Sequence, residues 1–205
     1  MLNDPAVEAV VLATPHSLHE EQIIAVAKAG KHVFCEKPLA LTLASAERPV
    51  AACEAADVVL GLGHERRFEP AMQAIARLVA SGELGQIMHV EANFSHDKLA
   101  NLASDNWRVS TVESPAAAMT ATGIHITDAF ANMFGSVEQI YAMTATRNPA
   151  NANGDILNFN VRFKSGATGA FNSILETPLY MRYAVFGAKA WVEARDYSHP
   201  SEMGT

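Results

Sequence analysis

The sequence predicts an α/β chain in two parts: a parallel sheet with crossover helices, then an α+β region on an open, mostly antiparallel sheet. Apolar, β-branched runs at residues 7–13, 32–35 and 58–62 alternate with segments of helical periodicity at 18–28 and 43–56. Strands alternating with helices imply parallel pairing and right-handed crossovers. From residue 137 onward five strand-like runs follow one another with turn sequences between them, and strands joined by short turns pair antiparallel.

Each element has its own warrant. Residues 7–13 (VEAVVLA) are apolar almost throughout, the pattern of a strand buried on both faces. Thr14-Pro15 ends it. Residues 18–28 put Ile23, Ile24 and Ala27 on one helical face, and Gly30 is the expected cap. Residues 32–35 form the second strand. Pro38, with a fixed φ and no N–H, stops its pairing. Thr42 is the expected N-cap of a helix over 43–56. Pro49 lies inside that helix, where proline costs ~3 kcal/mol, so a kink or a break is expected. Residues 58–62 form the third strand, and Gly61-Leu62-Gly63 reads as the turn leaving it.

Residues 69–81 are helical, with Met72, Ile75, Ala76 and Val79 on one side, and read as the link between two domains. Residues 86–94 read as a strand, 95–114 as irregular, and 116–134 as a helix with Gly123 inside it. Strands are expected at 137–146, 155–164, 167–177, 183–186 and 190–195. Lys164-Ser165-Gly166-Ala167 and Gly187-Ala188-Lys189 are the hairpin turns. A sheet with too few helices to cover both faces needs a partner, so self-association through it is expected.

Composition removes several classes of function. Hydrophobic residues are 49% and charged ones 18%, which supports a packed core. The formal net charge is −7 with no block of Lys or Arg, which argues against nucleic acid. Cys35 and Cys53 stand in apolar surroundings and read as reduced thiols, not a disulfide framework. No apolar run approaches the ~20 residues of a membrane span, and the first residues show no basic region followed by an apolar core, so no secretion signal is expected. A cytoplasmic protein is expected. His16 and His19 have H-x-x-H spacing with Glu20 following, but no third ligand is tied to them and zinc needs three or four. No metal site is expected.

The stretch Val33-Phe34-Cys35-Glu36-Lys37-Pro38 is the candidate for the chemistry. An acid and a base stand just past a strand, where open α/β sheets bind their ligands. A lysine partly desolvated there can exchange protons near neutral pH. From these residues alone, a surface Lys–Glu pair is the competing reading. The G-x-G-x-x-G turn that opens a dinucleotide-binding sheet is not found; Gly61 and Gly63 are followed by Arg66 where a third glycine would stand. His125 and Asp128, three apart, share a helical face.

Four segments resemble the Gfo/Idh/MocA oxidoreductases, in order and spacing, across essentially the whole chain. Thr14-Pro15-His16-Ser17-Leu18-His19 resembles the family's T-P-x-x-x-H turn. Ala29-Gly30-Lys31-His32-Val33-Phe34-Cys35-Glu36-Lys37-Pro38 resembles its A-G-K-H-V-x-x-E-K-P segment, the most specific of the four. Gly63-His64-Glu65-Arg66-Arg67-Phe68 resembles G-x-N-x-R-F, and Gly123-Ile124-His125-Ile126-Thr127-Asp128 resembles G-x-H-x-x-D.

The resemblance implies an NAD- or NADP-dependent oxidoreductase acting on a sugar, polyol or related hydroxy compound. It implies Lys37 beside the nicotinamide and the substrate hydroxyl, and Glu36 on the nicotinamide ribose. It implies Thr14, Pro15 and His19 lining the cofactor cleft, although Thr14-Pro15 could simply end a strand and His19 cap a helix. His125 becomes the candidate general base and Asp128 a substrate or structural contact. Trp107-Arg108 becomes a loop closing on nicotinamide and substrate; an aromatic anchoring a long loop is the equal alternative. Lys37 and His125 are expected to face one cleft, and the C-terminal sheet to pack against a second subunit.

Two positions depart from the pattern. Glu65 stands where the family often has Asn, and Ala121 stands where many members carry Asp four residues before the histidine. Thr120 and Thr122 are the hydroxyls nearby. The resulting division is a partial dinucleotide-binding (Rossmann) domain at 1–68, lacking its Gly-rich first half, and a substrate-binding and oligomerisation domain at 69–205. The three parallel strands match the last three of the order 3-2-1-4-5-6. A chain truncated at the N-terminus and at the C-terminus is therefore expected, binding NAD(P) poorly. A catalytically inactive fragment, or a non-enzymatic binding or oligomerisation module, is the alternative.

Overall fold

The computed structural model describes residues 1–100, 102–103, 105–116, 118–151 and 153–196. Positions 101, 104 and 117, which fall within the segments read above as irregular and helical, lie outside the described residues. The chain divides into two compact units, Met1–His64 and Glu65–Thr205. Among the described residues no helix is long and apolar enough to cross a membrane.

The first unit is a three-stranded parallel sheet in the order β1 (Ala9–Leu12), β2 (His32–Glu36), β3 (Leu60–Gly63). Helix α1 (His19–Lys28) joins the first two strands and α2 (Leu43–Ala55) the last two. The register sets Val10 beside Val33 and Leu12 beside Cys35. These four residues pack with Ile23, Val26, Ala27 and Cys53 from the helices to form the core. Both cysteines are free and buried. Burial, and secondarily the charge of Glu36, pushes the Cys35 thiol up to about 12.

β1 corrects the expectation of a strand buried on both faces. Its exposure alternates, and Val11 is 70% exposed. The helices bury the Val10 and Leu12 face, and alternate side chains point the other way. Gly61 and Gly63 also differ from the sequence reading: they lie inside β3, not in a turn beyond it. A Cβ at Gly61 would come 3.1 Å from Phe34 Cδ2, and one at Gly63 would come 3.3 Å from Phe34 Cζ. The glycines leave room for the Phe34 ring to lie along β3.

The helix ends follow local rules. Gly30, at φ +68°, ends α1: its N–H donates to Ala27 O and that of Lys31 to Val26 O, a Schellman motif. Thr42 and Ser45 cap α2 reciprocally, Thr42 Oγ1 accepting from Ser45 N at 3.1 Å and Ser45 Oγ from Thr42 N at 3.0 Å. Pro49 does not split α2, which runs unbroken through it. Thr42 and Ser45 secure its first turn, Cys53 anchors it in the core, and Arg48 pairs with Glu20 of α1.

The second unit is a six-stranded sheet with helices on one face. Its elements are α3 (Pro70–Ser81), β4 (Ile87–Ser95), α4 (Ile124–Phe134), β5 (Val137–Ala145), β6 (Ile156–Phe163), β7 (Thr168–Ile174), β8 (Tyr180–Gly187) and β9 (Trp191–Asp196). The strand order is β5-β6-β7-β4-β8-β9. Every pair is antiparallel except β4 with β7. The helix-facing side carries Val90, Phe94, Phe159, Phe163, Phe171 and Tyr183, packed on Phe130 and Ile126 of α4. Phe130 meets Phe134, Phe159, Phe163 and Tyr183 edge to face, the arrangement aromatic quadrupoles prefer.

The helix expected over 116–134 is shorter. Ala116 has φ +47°, residues Met119–Gly123 form a π-helical turn, and the α-helix proper is Ile124–Phe134. The hydroxyls explain the loosened turn. Thr120 Oγ1 donates to Pro115 O at 2.7 Å and Thr122 Oγ1 to Ala118 O at 2.8 Å, and such back-bonding competes with the regular ladder. Thr122 is also tied across to Ser173 Oγ at 2.6 Å.

Candidate functional site

In the first unit the candidate residues follow β1 and β2. After β1 the chain makes a 3-10 turn at His16–Leu18, with Pro15 as its extended cap. Thr14 Oγ1 donates to Gln22 Oε1 at 2.6 Å. His19 opens α1 and is fully buried. Its Nδ1 lies 2.8 Å from Pro38 O and its Nε2 3.0 Å from Thr14 O. His19 thus straps the turn after β1 to the turn after β2. Glu36 ends β2, and its Oε2 accepts from Lys37 N at 3.3 Å. Lys37 is partly buried, and the Lys37–Pro38 peptide bond is cis. A Cβ at Gly63 would come 3.3 Å from Glu36 Oε1, so the glycine makes space for that carboxylate.

In the second unit a 3-10 turn at Glu65–Phe68 meets α4. The buried Arg66 guanidinium lies 4.2 Å over the Phe94 ring and 3.3 Å from Glu69. Burial pushes the Glu69 carboxyl up, with Arg66 opposing. Arg67 grips Asp128 with two bonds, Nε to Oδ2 at 2.7 Å and a terminal nitrogen to Oδ1 at 2.5 Å. His125 is buried, with Nδ1 3.9 Å from Glu65 Oε1 and its ring 6.0 Å from Phe94. His125, Arg66, Glu69 and Asp196 share a cavity of about 320 Å3 with Phe94, Met181 and Tyr183. Trp107 and Arg108 stack on each other, the guanidinium 4.2 Å over the ring.

Within the first unit the structure therefore joins Thr14, His19 and the Lys37-Pro38 turn. Within the second it joins His125 and Asp128 to the Glu65–Phe68 turn. Sequence reasoning singled out neither Arg66 nor Arg67, although the quoted Gly63-His64-Glu65-Arg66-Arg67-Phe68 segment contains both. Two arginines beside a glutamate gave no indication of partners as distant as Phe94 and Asp128. Among the described residues no group of three or more His, Cys, Asp or Glu is placed to hold a metal ion.

Comparison with known proteins defines the class. Residues 1–64 match the profile of an oxidoreductase family with an NAD-binding Rossmann fold, and residues 72–193 match the GFO/IDH/MocA C-terminal domain. The chain belongs to the Gfo/Idh/MocA family. It is 35% identical over 201 residues to the myo-inositol 2-dehydrogenase of Thermotoga maritima, covering 95% of this chain and 58% of that protein. It is 29% identical over 208 residues to the 1,5-anhydro-D-fructose reductase of Ensifer adhaerens, covering 100% of this chain and 62% of that one. The aldose-aldose oxidoreductase of Caulobacter crescentus, solved with glycerol, superposes with a TM-score of 0.87 at 32% identity, over 97% of this chain and 60% of that structure. The chain spans about three-fifths of the length of these relatives.

The residues present fit one end of a nicotinamide dinucleotide. Glu36 and Lys37 offer an acceptor and a cation past the carboxyl end of β2, beside a glycine. The pyrophosphate end is not matched in α1. Its first turn carries Glu20 and Glu21 and no side-chain cap, whereas phosphate groups favour a helix N-terminus free of negative charge.

Proposed function

We propose that this chain contributes the nicotinamide side and the substrate side of an NAD(P)-dependent oxidoreductase acting on a sugar, polyol or related hydroxy compound. The observation that carries the reading is Glu36-Lys37 at the carboxyl end of β2 in a chain of this family. The first unit is the cofactor-binding part and the second the substrate-binding part. The cofactor, when bound, supplies a hydride acceptor or donor. The chain's residues do the rest. Glu36 holds the nicotinamide ribose, with Thr14 and Pro15 lining that side. His125 or Lys37 takes the hydroxyl proton, and the Lys37 ammonium stabilises the developing alkoxide. Asp128 keeps the His125 face of α4 fixed through Arg67. Trp107 and Arg108 close over nicotinamide and substrate. A cytoplasmic setting fits two free, buried thiols.

The test is calorimetric titration with NAD and NADP, followed by a turnover assay over a panel of cyclic polyols and aldoses. Binding of either cofactor with turnover of one such compound is the expected result for a form of the protein that contains a phosphate cradle. A form with tight cofactor binding and no turnover on any hydroxy compound would overturn the reading.

We also propose that the open face of the second sheet packs against a second copy. Its composition modifies the reason given from sequence: the face is not apolar throughout. Glu91, Arg182, Glu193 and Arg195 form a charged run across β4, β8 and β9, while Tyr141, Met143 and Trp191 are exposed at its two edges. Sedimentation velocity at rising concentration should give a dimer or larger, weakened by Tyr141→Glu. A monomer at every concentration would count against it.

A further inference from the structure

We propose that Glu65 is the carboxylate that orients His125, a positioning residue for proton transfer; this rests on the reading of His125 as the general base. A histidine that takes a proton through one ring nitrogen works best when the other is held. A carboxylate there sets the tautomer and the ring angle and stabilises the imidazolium that forms. One helical turn before His125 the chain offers only the methyl group of Ala121. The carboxylate comes instead from 60 residues earlier: Glu65 Oε1 lies 3.9 Å from His125 Nδ1. In this role Glu65 acts on Nδ1, and proton transfer with the substrate hydroxyl runs through Nε2. The contact is longer than a hydrogen bond, as such contacts commonly are before substrate binds.

The turn that carries Glu65 is pinned on both sides of the next peptide. Arg66 is buried against Phe94 and Glu69. Arg67 holds Asp128, three residues after His125 on the same face of α4. The two neighbouring hydroxyls are engaged elsewhere, Thr120 with Pro115 O and Thr122 with Ala118 O and Ser173 Oγ. Arg66, Glu69 and Asp196 are charged groups lining the cavity that His125 shares, and Glu65 Oε1 comes within ion-pair range of the ring. The Glu65 side chain is 62% exposed while that of His125 is 6% exposed, so the acid reaches a buried base from the solvent side.

The test follows the His125 imidazole by NMR through a pH titration, in the full chain and in Glu65→Gln. Loss of the negative charge should move the His125 midpoint to lower pH and redistribute the neutral ring between its tautomers. Glu65→Asp should restore part of the change. In a form that turns over substrate, Glu65→Gln should lower kcat about tenfold with little change in KM, a smaller loss than removing a general base outright. Ala121→Asp in the Glu65→Gln chain should recover part of it by placing a carboxylate one turn before the ring. A His125 titration unmoved by Glu65→Gln in a folded chain overturns the inference and leaves the general-base reading standing. Full turnover in His125→Gln overturns that reading.

Discussion

Lys37→Ala should lower kcat by about 10²- to 10⁴-fold in a form of the protein that turns over its substrate, with cofactor affinity nearly unchanged. The lysine follows β2 directly and is partly buried, so its charge acts in a reduced dielectric where alkoxide stabilisation is strongest. A group whose interaction is made mainly in the transition state shows itself in kcat. Fluorescence titration with the reduced cofactor and single-turnover kinetics separate the two effects. Near-normal turnover would make Lys37 a structural residue of the turn that His19 straps.

The largest effect on stability is expected at Gly187. A Cβ there would sit 2.1 Å from Leu84 O and 2.7 Å from its carbonyl carbon. Both atoms are backbone, and they cannot retreat easily: Leu84 is buried, its oxygen accepts from Lys189 N at 3.0 Å, and Ala188 N donates to Gln86 O at 2.8 Å. Gly187→Ala should therefore destabilise the second unit by about 3 kcal/mol or more. Gly166, at the β6–β7 hairpin with φ +89° and nothing near its Cβ, provides the comparison. Gly166→Ala should cost only about 1 kcal/mol, a backbone cost without a clash. Urea unfolding followed by circular dichroism measures both, and equal midpoints for Gly187→Ala and the parent would remove the proposed contact.

Local patterns made most of the strands and helices readable. Alternating apolar runs located β4 to β9, and Thr42 and Gly30 marked helix ends because caps depend on residues a few positions apart. The misreadings came from effects of packing. Whether VEAVVLA is covered on one face or two depends on how many helices reach it, which its own residues do not encode. Gly61 and Gly63 resembled a turn because the Phe34 ring that needs their space lies in another strand. The helix around Gly123 was overextended because Thr120 and Thr122 bond backward, a choice that periodicity does not reveal. In the candidate site, Lys37 and His125 stood out by their segments. Glu65 stood out only as a departure from the family pattern, because its relation to His125 and that of Arg67 to Asp128 arise only when chain positions about 60 apart meet.

The place of β4 in the sheet has a consequence for how the chain comes to be folded. β4 lies between β7 and β8, strands that follow one another in sequence yet never pair. No hairpin can form between them; each must find a strand made about 80 to 100 residues earlier. Closing such long loops before any pairing energy is gained makes assembly slow. During synthesis β4 emerges with neither neighbour available, and its unpaired backbone groups wait for β7 and then β8. The first unit is spared this delay, since its strands join neighbours in sequence order. In refolding from urea, stopped-flow measurements should find the Phe130 cluster forming last, once β8 has closed over β4.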